Sequence, residues 1–158
     1  MTAYRTILVD TDGSDHSYRV VDQAAELAHA THARLLISCA RHDIDERAFG
    51  TDLDRLGPDV YRLRGTAPTD AILRTAHQHA LAHGATDIDT HILSEPTLHA
   101  LLHLAATAAA DLIVTGNPHR SSLLARLLSI PPIELARKAH CDILIATPPG
   151  DDTHGKHP

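Results

Sequence analysis

The chain has 158 residues, 43% of them hydrophobic and 22% charged, which suits one globular domain able to bury its own core and excludes a disordered or fibrous chain. The formal net charge of −6 argues against a broad surface for the phosphate backbone of nucleic acid. No apolar stretch reaches the roughly 18–20 residues of a membrane span, and the N-terminal residues lack the series of features that marks a secretory signal.

In chain order, five apolar runs read as strands: Thr6–Val9, Leu35–Cys39, Ile88–Leu93, Leu112–Gly116 and Ile143–Thr147. All but Ile88–Leu93 are near-continuous, as in a parallel sheet covered on both faces. Ile88–Leu93 alternates more and is expected to be less buried. Ser14 is placed to cap a helix carrying Val20, Val21, Ala24, Ala25, Leu27 and Ala28 on its inner side. Thr69 opens a second helix with Ile72, Leu73, Ala76 and Ala80 inward and Gly84 as its stop. Ser94 and Pro96 open a third, with Leu98, Leu101, Leu102, Ala105, Ala108 and Ala109 on one side. A short fourth follows Pro131–Pro132 and runs through Ile133–Ala139. Strands alternating with helices predict an α/β fold with right-handed crossovers. Residues 40–68 interrupt the pattern with several Gly and Pro, around a short helix at Leu53–Leu56. Pro148–Pro158 reads as a polar tail behind a domain of residues 1–147.

Cys39 and Cys141 are far apart and form no Cys-x-x-Cys pair, so they read as free thiols in a reducing, cytoplasmic setting. The 14 histidines would turn the net charge positive if all were protonated, although a compositional preference is the simpler explanation. Two pairs, His79 with His83 and His99 with His103, have the i, i+4 spacing of metal ligands. A pair alone is not a site, and exposed helix positions explain both.

In an open α/β sheet, ligands bind beyond the carboxyl ends of the strands where the strand order reverses. Two strand ends carry chemistry there: Asp10-Thr11-Asp12-Gly13-Ser14, and Thr115-Gly116-Asn117-Pro118-His119-Arg120-Ser121-Ser122. An acidic turn facing a polar, basic loop suits a small polar ligand such as a nucleotide. The first run also resembles the opening motif of haloacid-dehalogenase-like phosphatases, in which Asp10 would attack phosphate and help hold Mg²⁺ while Asp12 served as acid and base. Against this, Asp151 and Asp152 lie in the tail, and Ser14 enters a helix at once. A response-regulator receiver domain would need an Asp at the end of strand three, where Leu93-Ser94-Glu95 stands, and a Lys at the end of strand five, where Thr147-Pro148 stands.

A fuller match runs from Ile7-Leu8-Val9-Asp10-Thr11-Asp12-Gly13-Ser14 through Ala24–Ala28 and then from Ala110-Asp111-Leu112-Ile113-Val114-Thr115-Gly116 to Ile145. These segments resemble the universal stress protein family. The resemblance implies an adenine-nucleotide alpha-hydrolase-like fold: a five-stranded parallel sheet of order 3-2-1-4-5, with helices on both faces. It further implies a homodimer joined through the last strand and a non-enzymatic binding or regulatory module in the stress response.

ATP-binding members carry Gly-x2-Gly-x9-Gly-Ser/Thr after strand four. Here Gly116 matches the first position, while His119, Ser129 and Ile130 occupy the other three. Those glycines let backbone N–H groups approach phosphates, whereas Pro131 and Pro132, which follow, have no N–H to give. Arg120 and Ser121 remain available as side-chain phosphate contacts. By the same resemblance Asp12, with Thr11, faces the adenosine part, Cys39 falls near the adenine pocket, and Asp10 replaces a residue that is often Pro. The expectation is weak or absent ATP binding and no required cofactor, with ATP held through unconventional contacts as the alternative.

Overall fold

The computed structural model describes residues 4–41, 67–95, 97–117 and 131–149. In chain order the elements are β1 (Thr6–Asp10), α1 (Asp15–Thr31), β2 (Arg34–Ala40), α2 (Ala67–Ala82), β3 (Ile88–Leu93), α3 (Leu98–Thr107), β4 (Leu112–Gly116), α4 (Pro132–Lys138) and β5 (Asp142–Ala146). All five strands are parallel in one sheet of order β3-β2-β1-β4-β5. The expected α/β architecture and strand order are therefore present. The helix predicted at Leu53–Leu56 lies outside the described residues.

Period-2 alternation divides the apolar residues of the central strands between two cores. Ile7, Val9, Leu35, Ile37, Leu112 and Val114 face α1 and α2, which supply Val20, Val21, Ala24, Ala25, Ala28, Ile72, Leu73, Ala76 and Ala80. Leu8, Leu36 and Ile113 face α3 and α4, which supply Leu101, Ala105 and Leu135. Being buried on both faces is why β1, β2 and β4 read as continuous apolar runs.

Local chemistry sets the element ends. Ser14 caps α1, its side chain accepting from the Ser17 amide at 3.1 Å. Asp111, just ahead of β4, accepts from the amides of Arg5 at 2.8 Å and Thr6 at 3.0 Å, pinning the start of β1 beside β4. Gly84 ends the α2 turn at φ 96°, where a Cβ would come within 3.0 Å of the His29 ring. His79 lies 2.9 Å from Asp22 and His83 lies 2.9 Å from Glu26, tying α2 to α1, and the ring of Tyr18 stacks on His79. Among the described residues no three His, Cys, Asp or Glu side chains are grouped to hold a metal.

Three sequence expectations are corrected. Thr69 is buried inside α2 rather than capping it, because the helix already starts at Ala67. The cap of α3 is Thr97, which accepts from the Ala100 amide at 3.1 Å, in place of Ser94 and Pro96, and Ala109 is exposed in the turn beyond the helix at φ 54°. β5 is not covered on both faces: Leu144 is 42% and Ile145 47% exposed. As the edge strand beyond β4, it has neighbours on one side only. The expectation for Ile88–Leu93 holds, since β3 is the opposite edge and is half-exposed along much of its length.

Candidate functional site

Strand order reverses between β1 and β4, since β1 connects onward to β2 on one side while β4 and β5 lie on the other. The carboxyl ends of these two strands therefore open the crevice in which α/β sheets place ligands. One wall is the turn Asp10–Ser14 and the other begins at Gly116.

The turn is tightly specified. The Thr11 amide donates to the Ser38 carbonyl at 2.9 Å, carrying the chain one residue past β1 along β2. The buried Thr11 hydroxyl is 2.7 Å from the Ser17 hydroxyl and accepts from the Gly13 amide at 3.3 Å. Asp12 Oδ1 accepts from the Ser14 amide at 2.8 Å, forming an Asx turn that leads into α1. Gly13 has φ 84°, and a Cβ there would fall 2.7 Å from Ile72 Cγ1 of α2. Both the backbone angle and the close helix demand glycine.

Asp10 closes β1 in register with Ser38, whose hydroxyl donates to its Oδ1 at 2.8 Å. Burial pushes the Asp10 carboxyl up to about 7, the Ser38 hydrogen bond opposes the rise, and the charge of Asp12 adds to it. Cys39 points to the opposite side of β2 and is 1% exposed. Burial raises its thiol well above the usual range, and the charges of Asp10 and Asp12 add to the effect, so it stays protonated. Cys141 is half-buried, and its thiol is also raised, by burial first and then by Asp142 and Asp111.

Across the crevice, Gly116 packs against α1. A Cβ added there would meet His16 Nε2 at 3.1 Å and Val20 Cγ2 at 3.2 Å. At the start of the 131–149 segment, α4 begins on Pro131 as N-cap with no side-chain cap, followed by Pro132. Two amides that could serve an anion are thus missing from that helix start.

Of the residues singled out from sequence, Thr11 and Asp12 follow β1 and Gly116 ends the neighbouring β4, so they stand at the two strand ends beside the crevice. Cys39 belongs to the core beneath it. His119, Arg120, Ser121, Ser129 and Ile130 lie outside the described residues. Sequence reasoning missed Ser38 and His16. Both leave a signal: Ser38 follows from pairing β1 with β2 in register, and His16 begins the i, i+4, i+8 line His16–Val20–Ala24 on the buried side of α1.

Comparison with known proteins places this geometry in context. The profile described as Universal stress protein family matches residues 3–147. Universal stress protein Rv1636 of Mycobacterium tuberculosis is 39% identical over 145 residues, spanning 92% of this chain and 97% of that protein. A crystal structure of a universal stress protein in complex with cAMP superposes with a TM-score of 0.66 at 38% identity, covering 90% of this chain and 96% of that one. The crystal structure of the Rv1636 protein gives a TM-score of 0.57 at 34% identity, covering 92% and 96%. An Archaeoglobus fulgidus universal stress protein in complex with dAMP gives 0.59 at 18% identity, covering 92% and 98%, a likeness of fold alone.

Proposed function

The chain belongs to the universal stress protein family, and from that premise we propose that it is a non-enzymatic, cytoplasmic regulatory module that binds a purine nucleotide between the ends of β1 and β4. The chemistry favours a cyclic monophosphate over ATP. The observation that carries this choice is the start of α4 on Pro131 and Pro132, which removes backbone donors that a polyphosphate needs. The sequence points the same way, with His119, Ser129 and Ile130 in place of the phosphate-loop residues. Thr11 and Asp12, held by the Asx turn and the Ser17 contact, form the wall for the nucleoside. Arg120 and Ser121 are the side chains left to meet one phosphate. The relative solved with cAMP, at 38% identity over most of both chains, supports this ligand class.

The local backbone favours this reading over the phosphatase alternative: Ser14 caps α1 directly behind Asp10–Gly13, which leaves no segment at the turn to fold over a phosphate ester. Residues 1–147 form the binding domain in this proposal, with 148–158 as a tail. Pairing of two copies through β5 is part of it as well. Leu144, Ile145 and Ile133, the last 72% exposed, offer the apolar surface such a contact would cover.

Isothermal titration with cAMP and with ATP-Mg²⁺ tests the ligand choice. Saturable cAMP binding with at least tenfold weaker ATP binding is expected. An ATP Kd near micromolar, about −8 kcal/mol, would overturn the preference.

A further inference from the structure

Asp10 takes no part in the contacts that shape the β1 turn, yet it stands at the strand end where the proposed nucleotide enters. Its side chain is half-buried, with Oδ1 fixed by the Ser38 hydroxyl at 2.8 Å. Asp12 follows two residues later, so one strand end carries two carboxyl groups. Alternation puts Asp10 on the side of Leu8, toward α3 and α4. On that side α3 presents buried Leu101 and Ala105, while its His99 and His103 are exposed. β2 contributes Ser38 and, on its other face, the protonated thiol of Cys39. β4 ends at this level in Thr115 and Gly116, neither ionisable, and His16 of α1 is buried against Gly116. Among the described residues no Arg or Lys is ion-paired with Asp10.

An anionic nucleotide approaching this edge meets both carboxyl groups in a region partly screened from water, where like charges repel more strongly than in bulk solvent. Protonation of Asp10 removes one of the two charges. It also turns an acceptor-only group into one with an O–H to donate to a phosphate oxygen or a ring nitrogen. Resting on the nucleotide-site proposal above, we propose that Asp10 couples nucleotide occupancy to proton uptake: the anion and the Asp10 proton bind together, each strengthening the other. The reciprocity is thermodynamic, since a ligand that favours the protonated form must be favoured by it. The carboxyl, raised by burial to about 7, lets this exchange occur at physiological pH.

The test is calorimetric titration of the full chain with cAMP at pH 6, 7 and 8, each in two buffers of different ionisation enthalpy. cAMP is the suitable probe because its phosphodiester does not titrate in this range, unlike a terminal phosphate with a second pKa near 6. The expected result is about a fivefold loss of affinity from pH 6 to pH 8, as one pH unit of coupling on this group gives, with about 0.4 of a proton taken up per nucleotide near pH 7. Asp10→Asn should bind equally at all three pH values with no uptake, and Asp10→Ser serves if that variant does not fold. Asp12→Asn should keep the proton uptake while moving its midpoint to lower pH, because the Asp12 charge no longer helps raise the Asp10 carboxyl. Wild-type binding that is flat with pH and takes up no proton would overturn the coupling and leave the nucleotide site standing. A slope that survives in Asp10→Asn would move the proton to another group and would also overturn it. No cAMP binding at any pH would overturn the nucleotide site and the coupling together.

Discussion

Asp10 shows how little a single residue's identity says before its neighbours are known. The run Asp10-Thr11-Asp12-Gly13 reads equally as a nucleophile motif or as a turn. Burial and the Ser38 hydroxyl, both set by the packed strands, decide the proton affinity of Asp10, and the carboxyl is raised to about 7. The shift also enters stability. Between about 4 and 7 the folded state holds a proton that the unfolded state has released, so ionising Asp10 destabilises the fold as pH rises through that window. Asp10→Asn should therefore be more stable than the wild type at pH 8, by about 2 kcal/mol for a half-buried group against roughly 4 for a fully buried one. The gain should shrink to nothing below about pH 4. Urea melts of both proteins at pH 4 and pH 8 measure it, and an equal difference at both pH values would contradict the cause.

Elements here depend on a few polar contacts at their ends. Asp111 is the clearest: it belongs to the Ala110–Gly116 segment by which the family is recognised, and its carboxylate holds the first two amides leading into β1. Asp111→Ala should cost about 1–3 kcal/mol, because donors at the sheet end lose a charged acceptor. Thermal unfolding at neutral pH checks this, and Asp111→Asn should recover part of the loss through its amide oxygen. Gly13 has a similar weight at the other end of β1. Gly13→Ala combines a positive φ with a Cβ at 2.7 Å from Ile72 Cγ1 and should destabilise by about 1–3 kcal/mol while shifting the turn that carries Asp12. The helix caps show where sequence signals mislead. Ser14 was legible because it directly precedes a strong amphipathic pattern. Ser94 and Thr97 are both good caps near the start of α3, and only the backbone path after β3 selects Thr97.

At the scale of the molecule, the two-sided sheet and its order were legible from the rhythm of apolar runs and from the family segments. The exposed character of β5 was not. Ile143, Leu144 and Ile145 spell the same apolar run as the central strands, yet lateral position leaves two of them open. That surface makes the proposed pairing testable. Leu144→Asp combined with Ile145→Lys should convert a dimer to a monomer in sedimentation equilibrium without loss of the far-ultraviolet helix signal. A wild type that sediments as a monomer at tens of micromolar would contradict pairing through β5.

Periodicity, turn chemistry and the family segments were sufficient for the elements, the sheet order and the position of the crevice, because each rests on local spacing or on a rule of parallel sheets. Thr11, Asp12 and Gly116 could be assigned to the crevice for that reason. Lateral contacts had to come from the tertiary structure: Ser38 against Asp10, His16 against Gly116, Ile72 over Gly13, and the open face of β5. Each joins residues distant in sequence, and the physical quantities they control, desolvation and steric room, exist only once the strands and helices are packed.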